Sequence, residues 1–330
     1  MDKRLILSID QGTTGTTVLV LDDALTTIAR GYTEFPASYP QKGRMDQDPA
    51  DIWDSTLSSI EEALRVGIIE PSNIAAIGIT NQRETTVLWD RNSGMPVAPA
   101  IVWQCRRTES ICAALKEQGL AGLYHDRTGL LLDPYFSGTK LKWLLDNYDL
   151  HARARAGELA FGTVDSWLLS NLTGGEVHAT DHTNASRTLL MDLNTLSWSD
   201  ELLAPLGIPR AVLPKIMSSN AKFGVTKGVP HLPDGIPIHG ILGDQQAALF
   251  GQSAFAPGEA KCTYGTGAFM MLNTGSKRPT SSKGLLSTCA WTIGDEVTYA
   301  LEGSAFIAGA AVQWFRDGLK VISKAAEIEW

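Results

Sequence analysis

The sequence predicts an α/β fold in two parts, and three observations carry that prediction. Apolar runs of strand length alternate with helical stripes, a strand–turn–strand pattern rich in Gly and Thr occurs twice, and 330 residues exceed the usual size of one domain. A hydrophobic content of 44% with 19% charged residues fits a globular chain and excludes a disordered one.

The first strand runs over 5–9 and turns through Asp10, Gly12, Thr13, Thr14, Gly15 and Thr16 into a returning strand over 17–21. A further strand over 28–34 leads to a helix whose start is marked by Asp48, a capping residue, and Pro49 at the first helical position. Its apolar stripe is Ile52, Trp53, Leu57, Ile60 and Leu64 at helical spacing. Buried strands follow over 74–80 and 85–89, with a polar turn at 90–94. Residues 140–145 read as a helix with a solvated basic face. The apolar run over 236–243 ends at Asp244, Gln245 and Gln246, where a strand meets a helix. The hairpin pattern then recurs: a strand over 259–263, the turn Tyr264, Gly265, Thr266 and Gly267, and a return over 268–272. A strand over 297–301 and a helix over 305–315 complete the second part. Gly309 interrupts that helix at about 1 kcal/mol relative to alanine, which points to a close approach to its backbone.

The net charge of −8 includes no basic cluster, so nucleic acid is excluded as a partner and a polyphosphate must be held locally. Cys105, Cys112, Cys262 and Cys289 have neither metal-ligand spacing nor a disulfide framework, which predicts reduced thiols. The apolar run at the N-terminus is too short for a signal peptide, and no stretch reaches the ~20 residues needed to span a bilayer. A cytoplasmic location is therefore expected.

Glycines let a backbone approach an anion closely, and successive amides and threonine hydroxyls point donors at phosphate oxygens. Two such turns facing each other would grip a polyphosphate. Neither is a Walker loop, because both lie between strands and end without Gly-Lys-Ser/Thr. Asp10, at the exit of the first strand, is the natural anchor for a hydrated Mg²⁺. Asp244, at a strand end backed by a helix N-terminus, is placed to accept a proton from a substrate hydroxyl. Asn81, Gln82, Arg83 and Glu84 gather four hydrogen-bonding groups between two apolar strands. Arg83 and Glu84 fit either the hydroxyls of a polyol or a surface ion pair worth ~0–1 kcal/mol. Trp103 and Tyr135 fit either the carbon face of such a ligand or the core, and spacing leaves both readings open. Asp181 and His182 read as structural support, since a lone histidine without ligand spacing rarely binds metal.

Seven segments carry a family resemblance: Asp10 to Thr14, Gly78 to Thr86, Trp103 to Thr108, Asp133 to Lys140, Asp181 to Thr188, Gly243 to Gly251, and Thr263 to Gly267. In these the chain resembles the FGGY family of carbohydrate kinases, within the actin-like, sugar-kinase and heat-shock ATPase superfamily. The resemblance implies an actin-like ATPase (ribonuclease H-like) α/β fold, with one complete domain over 1–250 and the beginning of a second over 251–330. It implies ATP-dependent phosphorylation of glycerol to sn-glycerol 3-phosphate, with ATP and Mg²⁺ in the cleft between domains. Asp244 would be the general base and Asp10 the metal residue. Arg83, Glu84, Tyr135 and Gln245 would bond the glycerol hydroxyls, with Trp103 and Phe269 against its carbons. Thr13, Thr14, Gly15, Thr16, Thr266, Gly309 and Gln313 would meet the nucleotide. Glycerol and ATP are the expected partners, with a homo-oligomer expected for the full-length form.

Two departures accompany the resemblance. Gly15, Thr16 and Thr17 stand where the family commonly has Ser-Ser-Arg, and a missing charged donor at a transferred phosphate costs roughly 3–4 kcal/mol, so weakened turnover is expected. Family members are also longer, which implies that most of the second domain is absent here and that this chain alone is impaired. The alternatives are a non-catalytic polyol-binding fragment and a kinase of another small polyol or sugar.

Overall fold

The computed structural model describes residues 5–265, 267–305 and 307–328. Its larger sheet has six strands: β1 (Leu5–Gln11), β2 (Gly15–Leu21), β3 (Thr27–Glu34), β4 (Ile74–Asn81), β5 (Lys222–Val225) and β6 (Pro237–Gly243). Their spatial order is β5-β6-β4-β1-β2-β3. The first three strands form an antiparallel meander, and β4 and β6 then join β1 in parallel. Leu7, Ile9, Val18, Val20, Ile77 and Ile79 alternate toward a buried core, as the period of two requires, and Ile238 and Ile241 reach the same core across a register shift in β6.

The helix α1 (Pro49–Gly67) packs on the meander. Asp48 caps it by accepting the Ala50 amide at 2.9 Å, and Ile52, Thr56, Ser59, Ile60 and Ala63 form its buried face. The helix lies so close to β3 that a Cβ on Gly31 would stand 2.0 Å from the Ser59 carbonyl oxygen. Gly31→Ala is therefore expected to destabilise the protein by about 1–3 kcal/mol, read as a lower urea midpoint at unchanged slope.

The ladder registers decide where chemistry sits. Asp10 pairs with Thr80, Gln11 with Asn81, and Gly243 with Asn81, so the carboxyl ends of three parallel strands share one edge. That edge is where open α/β sheets bind ligands. It carries Asp10, the loop after Asn81, and Asp244 at the start of helix α2 (Asp244–Gly251).

A second, four-stranded antiparallel sheet contains β7 (Ala260–Tyr264), β8 (Ala268–Gly275), β9 (Leu286–Ile293) and β10 (Glu296–Ala305), in the order β7-β8-β10-β9. Leu249 of α2 joins Met271, Ala290, Trp291 and Ala300 in a small core between the sheets. Cross-strand rows run Lys261, Met271, Glu302 and Thr263, Phe269, Ser304. Among the described residues no helix is long and apolar enough to cross a membrane.

Two expectations need correction, and one strand of the second sheet was not anticipated. The predicted helix over 305–315 is largely replaced: β10 extends to Ala305, and the α-helical turns are only Gly309–Gln313, followed by a wider π-type turn over Trp314–Gly318. The Gly309 amide bonds the Gly265 carbonyl at 2.9 Å, tying the start of this short helix to the second hairpin. The strand Leu286–Ile293 was not predicted, because Ser287, Thr288 and Thr292 break its apolar signal although all three are buried. The helix Ser137–Asn147 does not carry Lys140 on a solvated face: Lys140 is fully buried, with its ammonium on the Tyr135 carbonyl, and burial pushes its pKa down to about 8.

Candidate active site

One pocket, with about 260 Å³ of empty space opening to solvent, is lined by Thr13, Arg83, Glu84, Trp103, Tyr135, Asp244, Gln245 and Phe269. It lies where the strand ends of the larger sheet meet the inner face of the smaller one. The structure thus brings together all seven side chains expected to face a polyol.

The loop leaving β4 turns sharply. Glu84 has φ 60°, and the Thr85 amide bonds the Arg83 carbonyl at 2.7 Å, so the chain reverses within three residues. A non-glycine residue in this region costs about 1–3 kcal/mol and persists only where its surroundings impose it. Here Asn81 Nδ2 donates to the Gln82 carbonyl at 2.9 Å, and the Asn81 and Asn184 side-chain amides exchange hydrogen bonds at 3.0 and 3.2 Å. Gln82 donates to Gln11 at 3.1 Å and to Gln47 at 3.0 Å.

The surface ion-pair reading of Arg83 and Glu84 is excluded, since they are only 2% and 1% exposed. Arg83 grips Glu302 through two bonds of 2.6 and 3.1 Å and also donates to Tyr135 and Gln246. Arg187 bonds Glu302 at 2.9 Å and Glu84 at 2.7 Å, stacked over the Phe136 and Tyr135 rings. Two cations and two anions thereby neutralise each other in a buried cluster. Burial alone would raise the Glu302 pKa, but Arg187 and Arg83 outweigh it and hold the carboxyl down at about 2. At Glu84 burial wins over the same two arginines, and its pKa is raised.

Asp244 is the first residue of α2. Its Oδ1 accepts the Gln245 amide at 2.7 Å and lies 3.3 Å from Arg83 Nε, while Oδ2 accepts Gln245 Nε2 at 3.2 Å. Each carboxylate oxygen has two acceptor sites, so Oδ2 keeps one for a hydroxyl proton. Asp10 is open to water at the cleft mouth. Even so, desolvation by the surrounding protein, then the charge of Asp244, push its pKa up to about 6. Mutual repulsion between the two carboxylates marks a place where a cation is favoured.

Trp103 forms the aromatic wall, edge to face with Tyr135 at 5.8 Å and with Phe269 at 6.0 Å. Its Nε1 donates to Thr13 Oγ1 at 2.8 Å, tying that wall to the first hairpin turn.

The residues expected to meet a nucleotide divide. Thr13 lines the pocket and Thr14 is exposed on the turn, which the Gly12 amide closes onto the Gly15 carbonyl at 3.0 Å. Thr16 is turned the other way: it is fully buried, with its hydroxyl 2.8 Å from that of Ser55 in α1, so the expectation that its side chain meets phosphate is corrected. Gly15 packs against Tyr32, whose ring a Cβ would strike at 2.8 Å. Gly309 abuts the second hairpin and Gln313 is exposed, whereas Thr266 lies outside the described residues. Thr17 stands opposite Asp10 in the β1–β2 ladder.

Glu302, Arg187 and Lys261 are parts of the site that the sequence reading did not assign. Glu302 had a usable signal, being a charge on the same strand parity as buried Ala300.

Comparison with known proteins gives the family. The profile described as "FGGY family of carbohydrate kinases, N-terminal domain" matches residues 5–251. A glycerol kinase of Myxococcus xanthus is 56% identical over 329 residues, which are 99% of this chain and 66% of that protein. Glycerol kinase 2 of Thermotoga maritima is 53% identical, with 99% and 66% covered. The crystal structure of Plasmodium falciparum glycerol kinase with ADP superposes with a TM-score of 0.91 at 38% identity, over 98% of this chain and 65% of that one. The chain thus spans 66% of the length of these curated relatives. With a match covering most of its residues, the chain belongs to the FGGY family of carbohydrate kinases.

Proposed function

We propose that this chain forms the alcohol-binding and phosphate-facing part of a kinase that uses ATP to convert glycerol to sn-glycerol 3-phosphate. The observation that carries the reading is the single pocket in which a strand-end carboxylate, a buried arginine–glutamate pair and three aromatic rings enclose a small space. The names of its relatives support glycerol as the alcohol. Residues 1–250 would form the first domain and 251–330 the start of the second.

In this reading Arg83, Glu84, Tyr135 and Gln245 bond the glycerol hydroxyls, and Trp103 and Phe269 cover its carbons. Asp244 Oδ2 takes the proton of the attacking hydroxyl as its oxygen bonds the γ-phosphorus and ADP departs. Thr13 and Thr14 in the first turn, with Thr266, Gly309 and Gln313, meet the nucleotide. Among the described residues no group of three or more His, Cys, Asp or Glu is arranged to hold a metal. Asp10, close enough to Asp244 to feel its charge, fits Mg²⁺, which keeps several waters and takes one or two carboxylates plus substrate phosphates. Asp10 would hold it, and the ion would supply neutralisation of phosphate charge.

The test is ADP release by the full-length protein with ATP and each of glycerol, xylulose and gluconate. Glycerol is expected to give the highest kcat/KM. A higher value with either other substrate overturns glycerol as the alcohol. Glycerol binding by calorimetry without ADP release favours the non-catalytic alternative.

A further inference from the structure

We propose that Lys261 is a positioning residue for this reaction, fixing Gln245 as a hydrogen-bond donor toward Asp244; the inference rests on the functional reading above. Lys261 lies in β7, in the row that continues through Met271 to Glu302, and is buried against the pocket wall. Its ammonium contacts Gln245 Oε1, and it lies 2.9 Å from Thr263 Oγ1 and 3.5 Å from the Phe269 carbonyl.

The chemistry of these neighbours decides the orientation of the Gln245 amide. An ammonium has only donors and a carboxylate only acceptors. Gln245 lies between one of each, so its carbonyl oxygen must face Lys261 and its NH₂ must face Asp244 Oδ2, 3.2 Å away. A flipped amide would set carbonyl against carboxylate and NH₂ against ammonium. The assignment therefore follows from the charges on either side, not from a choice between similar atoms.

The outcome is a chain of contacts from the second sheet to the reacting hydroxyl: Lys261 to Gln245, Gln245 to Asp244. Burial, then the Arg83 charge, push the Lys261 pKa down to about 8, while Asp244 and Glu302 act against the shift, so the ammonium persists at neutral pH. A buried lysine without such partners would be strongly unfavourable.

The test uses the full-length protein with Lys261→Met, Lys261→Arg, Gln245→Ala and the Lys261→Met/Gln245→Ala double variant in the ADP-release assay. Lys261→Met is expected to lower kcat about tenfold, the factor of one charge-assisted hydrogen bond, with a smaller change in glycerol KM. Lys261→Arg keeps a charged donor and is expected to recover most of the loss. In the Gln245→Ala background, Lys261→Met should lower kcat by less than about twofold, because the contact it served is already gone. Lys261→Gln gives the same cycle if the methionine variant does not fold. An active parent whose kcat is unchanged by Lys261→Met, or losses that multiply in the double variant, overturns the proposal alone. A parent that releases no ADP with glycerol overturns the functional reading and this proposal with it.

Discussion

Asp244→Asn in the full-length protein is expected to lower kcat with glycerol by about 10²–10⁴-fold, the range that a positioned general base supplies. Asparagine keeps the shape of the side chain and an acceptor oxygen, but it cannot take the proton. The Asp244 side chain is 37% exposed, so the substitution disturbs little packing, and the unfolding midpoint should move far less than kcat. Glycerol KM should change modestly, because Arg83 and Glu84 stay held by Glu302 and Arg187. Asp10 provides an internal check. The Asp244 charge contributes to its raised pKa, so neutralising Asp244 should lower the Asp10 pKa from about 6, a change readable by carboxyl NMR titration. Undiminished kcat beside a shifted Asp10 would leave the carboxylates together and remove the base from the mechanism.

The parts of this site visible in the sequence are those whose meaning is local. Asp10 and Asp244 were legible because each ends an apolar strand run, and the helix starting at Pro49 because Asp48 caps it. The hairpin turns were legible from Gly and Thr. What remained open was set by contacts distant in the chain. Whether Arg83 and Glu84 were a surface pair or a buried site turned on Glu302, 219 positions from Arg83, and on Arg187, 103 positions from Glu84. Thr16 has the residue type of a phosphate ligand, yet strand alternation turns it toward Ser55. Lys140 has the residue type of a solvated face, but its helix is packed on that side. Residue type told what each side chain can do; the fold decided which of them reach the pocket.

Glu302→Gln is expected to destabilise the protein by about 3–5 kcal/mol, the range for removing one member of a buried ion pair. The carboxylate is fully buried and faces Arg83 through two bonds and Arg187 through a third. A glutamine of similar size fills the space but leaves two guanidinium groups with Glu84 and the half-exposed Asp244 as their remaining anions. The pH dependence has a defined sign. Because Arg187 and Arg83 depress the Glu302 pKa from 4.5 to about 2, its stabilising contribution is complete above about 4.5 and is lost as pH falls through about 2. That shift corresponds to about 3 kcal/mol, in line with the mutational range. The glutamine variant should therefore lose this part of the acid sensitivity of the parent. Adding Arg187→Met to Glu302→Gln removes one unbalanced cation and is expected to restore part of the stability, because a charge is costly in the interior mainly when its partner is gone. Glu302 belongs to the second sheet and Arg83 to the loop of the first, so the same substitution should loosen the guanidinium that lines the pocket and, on the proposed function, raise glycerol KM more than it lowers kcat. Urea unfolding at pH 7 with an unchanged midpoint in Glu302→Gln would mean that the buried cluster does not hold the two sheets together, and the Arg83 geometry would then need another source.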